Sequence, residues 1–218
     1  MAARDRFSDD ELAAIRRATH AAEAQTGGEL VCVIIEQCDT YQAALWQVTA
    51  LGALTGTLAA GLWHTLLGLW GTYSTLWILL PPMLGATVGL LLVTTLPTLR
   101  RALISPAVLD RRVDRRAAVA FLDEEIFDTR DRTGVLLFVA LFEHRIRILR
   151  DSGVEERVPP EAWDEITEDL ALGLRAGRKG ASVVAAVEAC GHLLVTHGVE
   201  RRPDDTNELS DEPRLLDE

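Results

Sequence analysis

The chain has 218 residues, 48% of them hydrophobic and 25% charged, with a formal net charge of −11. That balance excludes a nucleic-acid binder, which relies on clustered positive charge. It also excludes a disulfide scaffold, because Cys32, Cys38 and Cys190 form neither a CxxC pair nor a zinc-ligand spacing. An odd cysteine count suits a reducing cytoplasm.

Residues 1–28 are charged throughout and lack the apolar central region of a secretory signal. Ser8-Asp9-Asp10-Glu11 is a capping-box pattern, with Ser8 as N-cap and Glu11 reaching back. Leu12, Ile15, Ala18, Thr19 and Ala22 then recur on one helical face, and Gly27 and Gly28 stop the helix. Leu30 to Ile35 is a continuous apolar, β-branched run that suits a buried strand. One helix and one strand cannot fold alone, so the remainder of this domain must lie further along.

Residues 40–99 contain no Asp, Glu, Lys or Arg. A membrane-spanning helix needs about 20 apolar residues, so the stretch holds two, from about Ala43 to Leu66 and from about Leu76 to Leu99. Leu67 to Thr75, with Gly68, Gly71, Tyr73 and Ser74, reads as the loop between them. Tyr41, Trp46, Trp63, Trp70, Tyr73 and Trp77 sit where amphipathic rings prefer the water–lipid boundary. Trp46 and Trp63 lie roughly 26 Å apart at 1.5 Å per helical residue, close to the hydrocarbon thickness. Pro81 and Pro82 should kink the start of the second span. Gly52 and Gly56, then Gly85 and Gly89, are spaced for close backbone approach. They serve either a homodimer seam or the packing of the hairpin on itself. His64 lies near the loop and is no sign of proton transport.

Arg100, Arg101, Arg111, Arg112, Arg115 and Arg116 follow the second span, whereas the inter-helix loop has no cation. Positive charge favours the cytoplasmic side, which predicts a multi-pass protein of the inner membrane with both termini cytoplasmic. Arg100, Arg101, Arg111 and Arg112 are also candidate ligands for anionic lipid headgroups, beside their ordinary role as an orientation signal.

Ser105-Pro106 opens a helix to about Phe127. Val135 to Phe142 reads as a second buried strand, joined through the preceding helix and hence parallel to the first. Arg145-Ile146-Arg147-Ile148-Leu149-Arg150 alternates as a half-exposed strand, antiparallel to its predecessor and nearer an edge. Pro159-Pro160 starts a helix carrying Trp163, Ile166, Leu170 and Leu174 on one face, with Gly177 after its end. A last helix covers about Ala181 to His197. Glu188 and His192 are one turn apart there and His197 follows, but two histidines five apart share a helical face poorly, so the set is a weak metal site. Residues 199–218, acidic and poor in apolar groups, should be a disordered tail. No serine elbow, P-loop or nucleotide fingerprint is present.

The predicted architecture is a small layered α/β domain with a mixed sheet, interrupted by a two-helix transmembrane hairpin. Its parts are residues 1–39, the hairpin 40–99, residues 100–198 and the tail 199–218. The carboxyl end of a parallel sheet is the usual ligand edge, and here it would lie close to the membrane.

Three segments resemble TPM domains: Thr26-Gly27-Gly28-Glu29-Leu30-Val31-Cys32-Val33-Ile34, the run from Thr133 through Glu143-His144 to Ile148, and Leu174-Arg175-Ala176-Gly177 with the apolar helix after it. The resemblance covers nearly all of the sequence outside the hairpin. It implies a membrane-associated α/β domain, a family in which some plant members are described as acid phosphatases and photosystem repair factors. Members often carry a Gly-aromatic-Gly after the basic strand, where this chain has Asp151-Ser152-Gly153-Val154. Many are exported, whereas the arginines here predict the reverse. Divalent-metal or phosphate chemistry in relatives maps loosely onto Glu36, Asp39, Asp131 and Asp151, which would hold Ca²⁺ or Mg²⁺. The function expected is a membrane-anchored accessory module assisting assembly or maintenance of a membrane complex. The alternative is a divalent-metal-assisted phosphomonoester hydrolase.

Overall fold

The computed structural model of the chain describes residues 3–67, 75–199, 201–202 and 208–217. The expected inter-helix loop, with Gly68, Trp70, Gly71, Tyr73 and Ser74, lies outside the described residues, as does the side chain of Trp77. The chain divides into two compact units, one of Met1–Asp39 with Leu109–Glu218 and one of Thr40–Val108.

The first unit is built on a four-stranded sheet. Helix α1 (Asp9–Glu23) leads into strand β1 (Glu29–Ile35). After the second unit come α5 (Pro106–Asp123), β2 (Gly134–Ala140) and β3 (Arg145–Arg150). One turn, α6 (Ser152–Glu155), precedes α7 (Asp164–Arg175), α8 (Lys179–Thr196) and a short β4 (Arg214–Leu216). The strand order is β3-β2-β1-β4. β1 pairs in parallel with β2, Glu29 beside Gly134 and Ile35 beside Ala140, while β2 and β3 are antiparallel. Every residue of β1 and β2 is buried, as their unbroken apolar runs require when helices cover both faces.

The layers follow from the period-two alternation of the strands. Leu30, Cys32, Ile34, Val135, Leu137 and Val139 turn to one face, against α1, α7 and α8. Val31, Val33, Ile35, Leu136, Phe138 and Ala140 turn to the other, against Val113, Ala117 and Ala120 of α5. Helix ends are closed as their residues predict. Ser8 Oγ accepts the Glu11 N–H at 3.2 Å, and Glu11 returns a bond to the Ser8 N–H at 2.8 Å. That bond holds the Glu11 carboxyl below its ordinary range. Gly177, at φ +77°, ends α7, with its N–H on the Leu174 carbonyl.

The segment expected to be a disordered tail instead completes the sheet. Val33, Ile34 and Ile35 of β1 pair in parallel with Arg214, Leu215 and Leu216. Main-chain pairing needs no apolar composition, and ion pairs from Arg214 to Glu124 and from Glu212 to Arg16 hold the strap in place. The helix from Pro106 also stops earlier than its composition suggests, at Asp123, and Ile126 folds back into the core.

Glu23, at the end of α1, is a carboxylate inside the domain. It is buried, accepts the Leu30 N–H at 2.9 Å, and burial raises its pKa to about 9. The folded state therefore holds a proton that the unfolded chain releases above the ordinary carboxylate range, so stability falls as pH rises from about 4.5 to about 9. Glu23→Gln keeps the acceptor and removes the charge. It should gain roughly 1–3 kcal/mol at pH 7 and flatten that slope. Urea unfolding at pH 5 and pH 8 checks this; a variant as pH-sensitive as the parent would disprove it.

The second unit contains α2 (Gln42–Leu66), α3 (Thr75–Thr95) and the short α4 (Pro97–Ala102). Both long helices have the length and composition to cross a bilayer, and their leucines lie on the outside, Leu58 64% and Leu66 74% exposed. Threonine hydroxyls bond back to their own helix, Thr49 to the Leu45 carbonyl, Thr87 to Met83 and Thr94 to Leu90. That leaves fewer polar groups for a solvent to satisfy, as an apolar medium demands. Four residues face one another across the pair: a Cβ on Gly85 would overlap the Gly52 carbonyl oxygen, and one on Gly56 would lie 3.3 Å from the Gly85 Cα. Gly52, Gly56, Gly85 and Gly89 are thus consumed inside the hairpin. As a homodimer seam they are not available without opening it.

Candidate functional site

Three places hold the residues that the sequence singles out. At the carboxyl ends of β1 and β2, Glu36 follows β1, and Arg6 grips its carboxylate with Nε at 3.2 Å and Nη2 at 2.7 Å. Asp39 pairs with Arg112 at 2.9 Å. Between them Glu143, fully buried in the β2–β3 turn, accepts the Cys38 N–H at 2.8 Å. Burial, with the Glu143 carboxylate close by, pushes the Cys38 thiol well above its ordinary pKa, so it is no ready nucleophile. Nothing in the sequence marks Glu143 as buried, because a carboxylate in a turn normally faces water.

At the opposite ends, Asp131 pairs with Arg202 in the loop before β2. Asp151 follows β3 and is buried; its Oδ1 caps α6 through the Ser152 N–H at 2.7 Å, and its Oδ2 lies 3.1 Å from Arg132 Nε. A seven-residue strand rising about 3.3 Å per residue places the two ends roughly 20 Å apart. Glu36 and Asp39 therefore do not meet Asp131 and Asp151. Each of the four is engaged by an arginine, and no group of three or more His, Cys, Asp or Glu suited to a metal occurs among the described residues. The residues present do not fit one Ca²⁺ or Mg²⁺ shared by the four.

The third place is the arginine set. In the second unit Arg100 donates to the Thr40 carbonyl, and Arg101 is half-buried at the end of α4. Arg111 and Arg112 are exposed on α5, with Arg112 on Asp39.

A layered α/β/α domain with three helices on one face of a mixed sheet, one on the other, and an apolar helical pair inserted between β1 and α5 defines the class of this chain. Residues 91–193 match the family model of the TPM domain. The match runs from the last part of α3 to the last part of α8 and takes in β2 and β3. The chain is similar in fold to the NMR structure of the BA42 protein from the psychrophilic bacterium Bizionia argentinensis, at a TM-score of 0.56 and 19% identity, over 95% of this chain and 94% of that one. No curated protein matches the sequence.

Proposed function

We propose that this protein is a membrane-anchored TPM module that assists assembly or maintenance of a larger membrane complex, acting through binding. The observation that carries the reading is the exposed apolar pair α2–α3, joined to β1 by residues 36–41 alone. Such a tether reaches about 20 Å at full extension, which keeps the TPM domain at the membrane whatever it binds. The binding reading is preferred to phosphomonoester hydrolysis because the candidate carboxylates are divided between two sheet ends and each is occupied by an arginine. The arginines after α3 favour an inner-membrane hairpin with both termini in the cytoplasm. A C-terminal green fluorescent protein fusion should then fluoresce, and a dark, exported fusion would reverse the orientation.

Affinity purification of the tagged full chain from gently solubilised native membranes tests the function. A near-stoichiometric integral membrane partner is the expected result. Recovery of folded protein with no such partner would remove the reading.

A further inference from the structure

The outward strip of α5 combines charge and apolar surface in a way that the core does not require. Leu109, Val113, Ala117 and Ala120 face the sheet. At 100° per residue, Arg111, Arg115, Ala118 and Leu122 form the opposite line, with Val119 beside it. Arg111, Arg115, Ala118 and Val119 are exposed, and Leu122 is 61% exposed. No carboxylate lies on that line. The acids of α5 sit on its flanks and are neutralised there: Asp110 by Arg145 and Arg147, Asp114 by Arg147 at 2.5 Å, and Asp123 by Arg116 at 3.8 Å. Asp39 offsets Arg112 from the side. On a chain of net charge −11, the line is thus basic in composition, exposed, and ends in leucine and valine.

From these observations we infer that the outward face of α5 is a lipid-binding surface, with Arg111 and Arg115 on the phosphates of anionic lipids and Val119 and Leu122 at the headgroup–acyl boundary. Basic residues beside exposed apolar ones on one helical face are the composition of helices that lie in a membrane interface. Charge complementarity selects an anionic surface over a neutral one. Only residues 96–105 connect the end of α3 to α5, so a bilayer crossed by α3 is within reach. The inference rests on the membrane reading of the hairpin, and it goes beyond anchoring because it gives the TPM domain a docked and an undocked state.

Spin-label accessibility on the full chain tests it. Cys38→Ser removes the one cysteine that is not fully buried, and a nitroxide is then placed at Leu122→Cys or, as a control, at Leu58→Cys. In bilayers of phosphatidylglycerol with phosphatidylcholine, the label at 122 should favour oxygen over a water-soluble nickel chelate. In phosphatidylcholine alone it should move to water. Arg111→Gln with Arg115→Gln should weaken docking about 30-fold, at about fivefold per arginine near an anionic surface. A label at 122 that stays aqueous in both bilayers, while the label at 58 is lipid-exposed, overturns the docking surface and leaves the anchor intact. An aqueous label at 58 would instead defeat the membrane reading itself. If the face stays aqueous but the double variant loses a copurifying protein, it binds protein, and the lipid assignment is wrong.

Discussion

Replacing Gly85 by leucine should break the α2–α3 pairing, the largest effect expected from any single change in the second unit. The Cβ alone would overlap the Gly52 carbonyl oxygen and would lie 3.2 Å from the Gly56 Cα. These obstacles are backbone atoms, so no side chain can rotate away and the helices must separate. Overpacking of this kind costs about 3 kcal/mol, toward the upper end of its usual range. Between helices in lipid the loss is not offset by a hydrophobic gain elsewhere, because lipid tails are as apolar as leucine. Cysteines engineered at Leu51 and Val88, exposed positions next to Gly52 and Gly89 that leave the glycine seam untouched, should be joined in the parent by a bifunctional thiol reagent. They should cross-link poorly once Gly85→Leu is added. Undiminished cross-linking would show that the glycines do not set the approach. Gly61, around which a Cβ would meet nothing, supplies the matched control: Gly61→Leu should leave cross-linking unchanged.

Removal of residues 208–218 should destabilise the first unit by roughly 2–4 kcal/mol, counting a few net hydrogen bonds and partial burial of three leucines. The segment supplies β4, and the Glu36 N–H bonds to the Leu216 carbonyl at 2.9 Å. It also supplies Leu209 and Leu216 to the α5 side of the core and Leu215 to the other. Without it, β1 becomes an edge with open N–H and C=O groups, and such an edge invites pairing between chains. Urea unfolding should show a lower midpoint, and light scattering should rise at the onset of the transition. A truncated protein with the parent's midpoint would mean that β4 only rests on the sheet.

Much of the first unit could be read before any coordinates. The capping box at Ser8, the apolar runs of β1 and β2 and the Arg–Ile alternation of β3 are local patterns, and local patterns are visible in sequence. The parallel pairing of β1 with β2 also followed from the intervening helix. That pairing already implied what the structure shows about the carboxylates. Glu36 comes after its strand and Asp131 before its own, so in a parallel pair they must stand at opposite ends. β4 was hidden for a different reason. Its partner is distant in sequence, and three residues in an acidic stretch carry no periodicity. Glu23 and Glu143 were hidden because their burial depends on the packing around a helix end and a turn, where carboxylates are ordinarily solvated. The glycine spacing fitted two geometries and favoured packing of the hairpin on itself, and the positions of the facing carbonyls agree with that packing.

β1 and β2 are neighbours in one sheet, yet the whole of α2, α3, α4 and α5 is made between them. A chain that threaded the bilayer once would strand these two strands in different compartments, and no sheet could form. The domain is therefore a parity check on biogenesis: it can fold only if the intervening segment crosses an even number of times. Until β2 emerges, the six apolar residues of β1 have no partner, and a nascent chain with a failed second crossing would expose them to quality-control proteases. For a hairpin that enters the bilayer, a paired β1 and β2 thus means that the second crossing has followed the first.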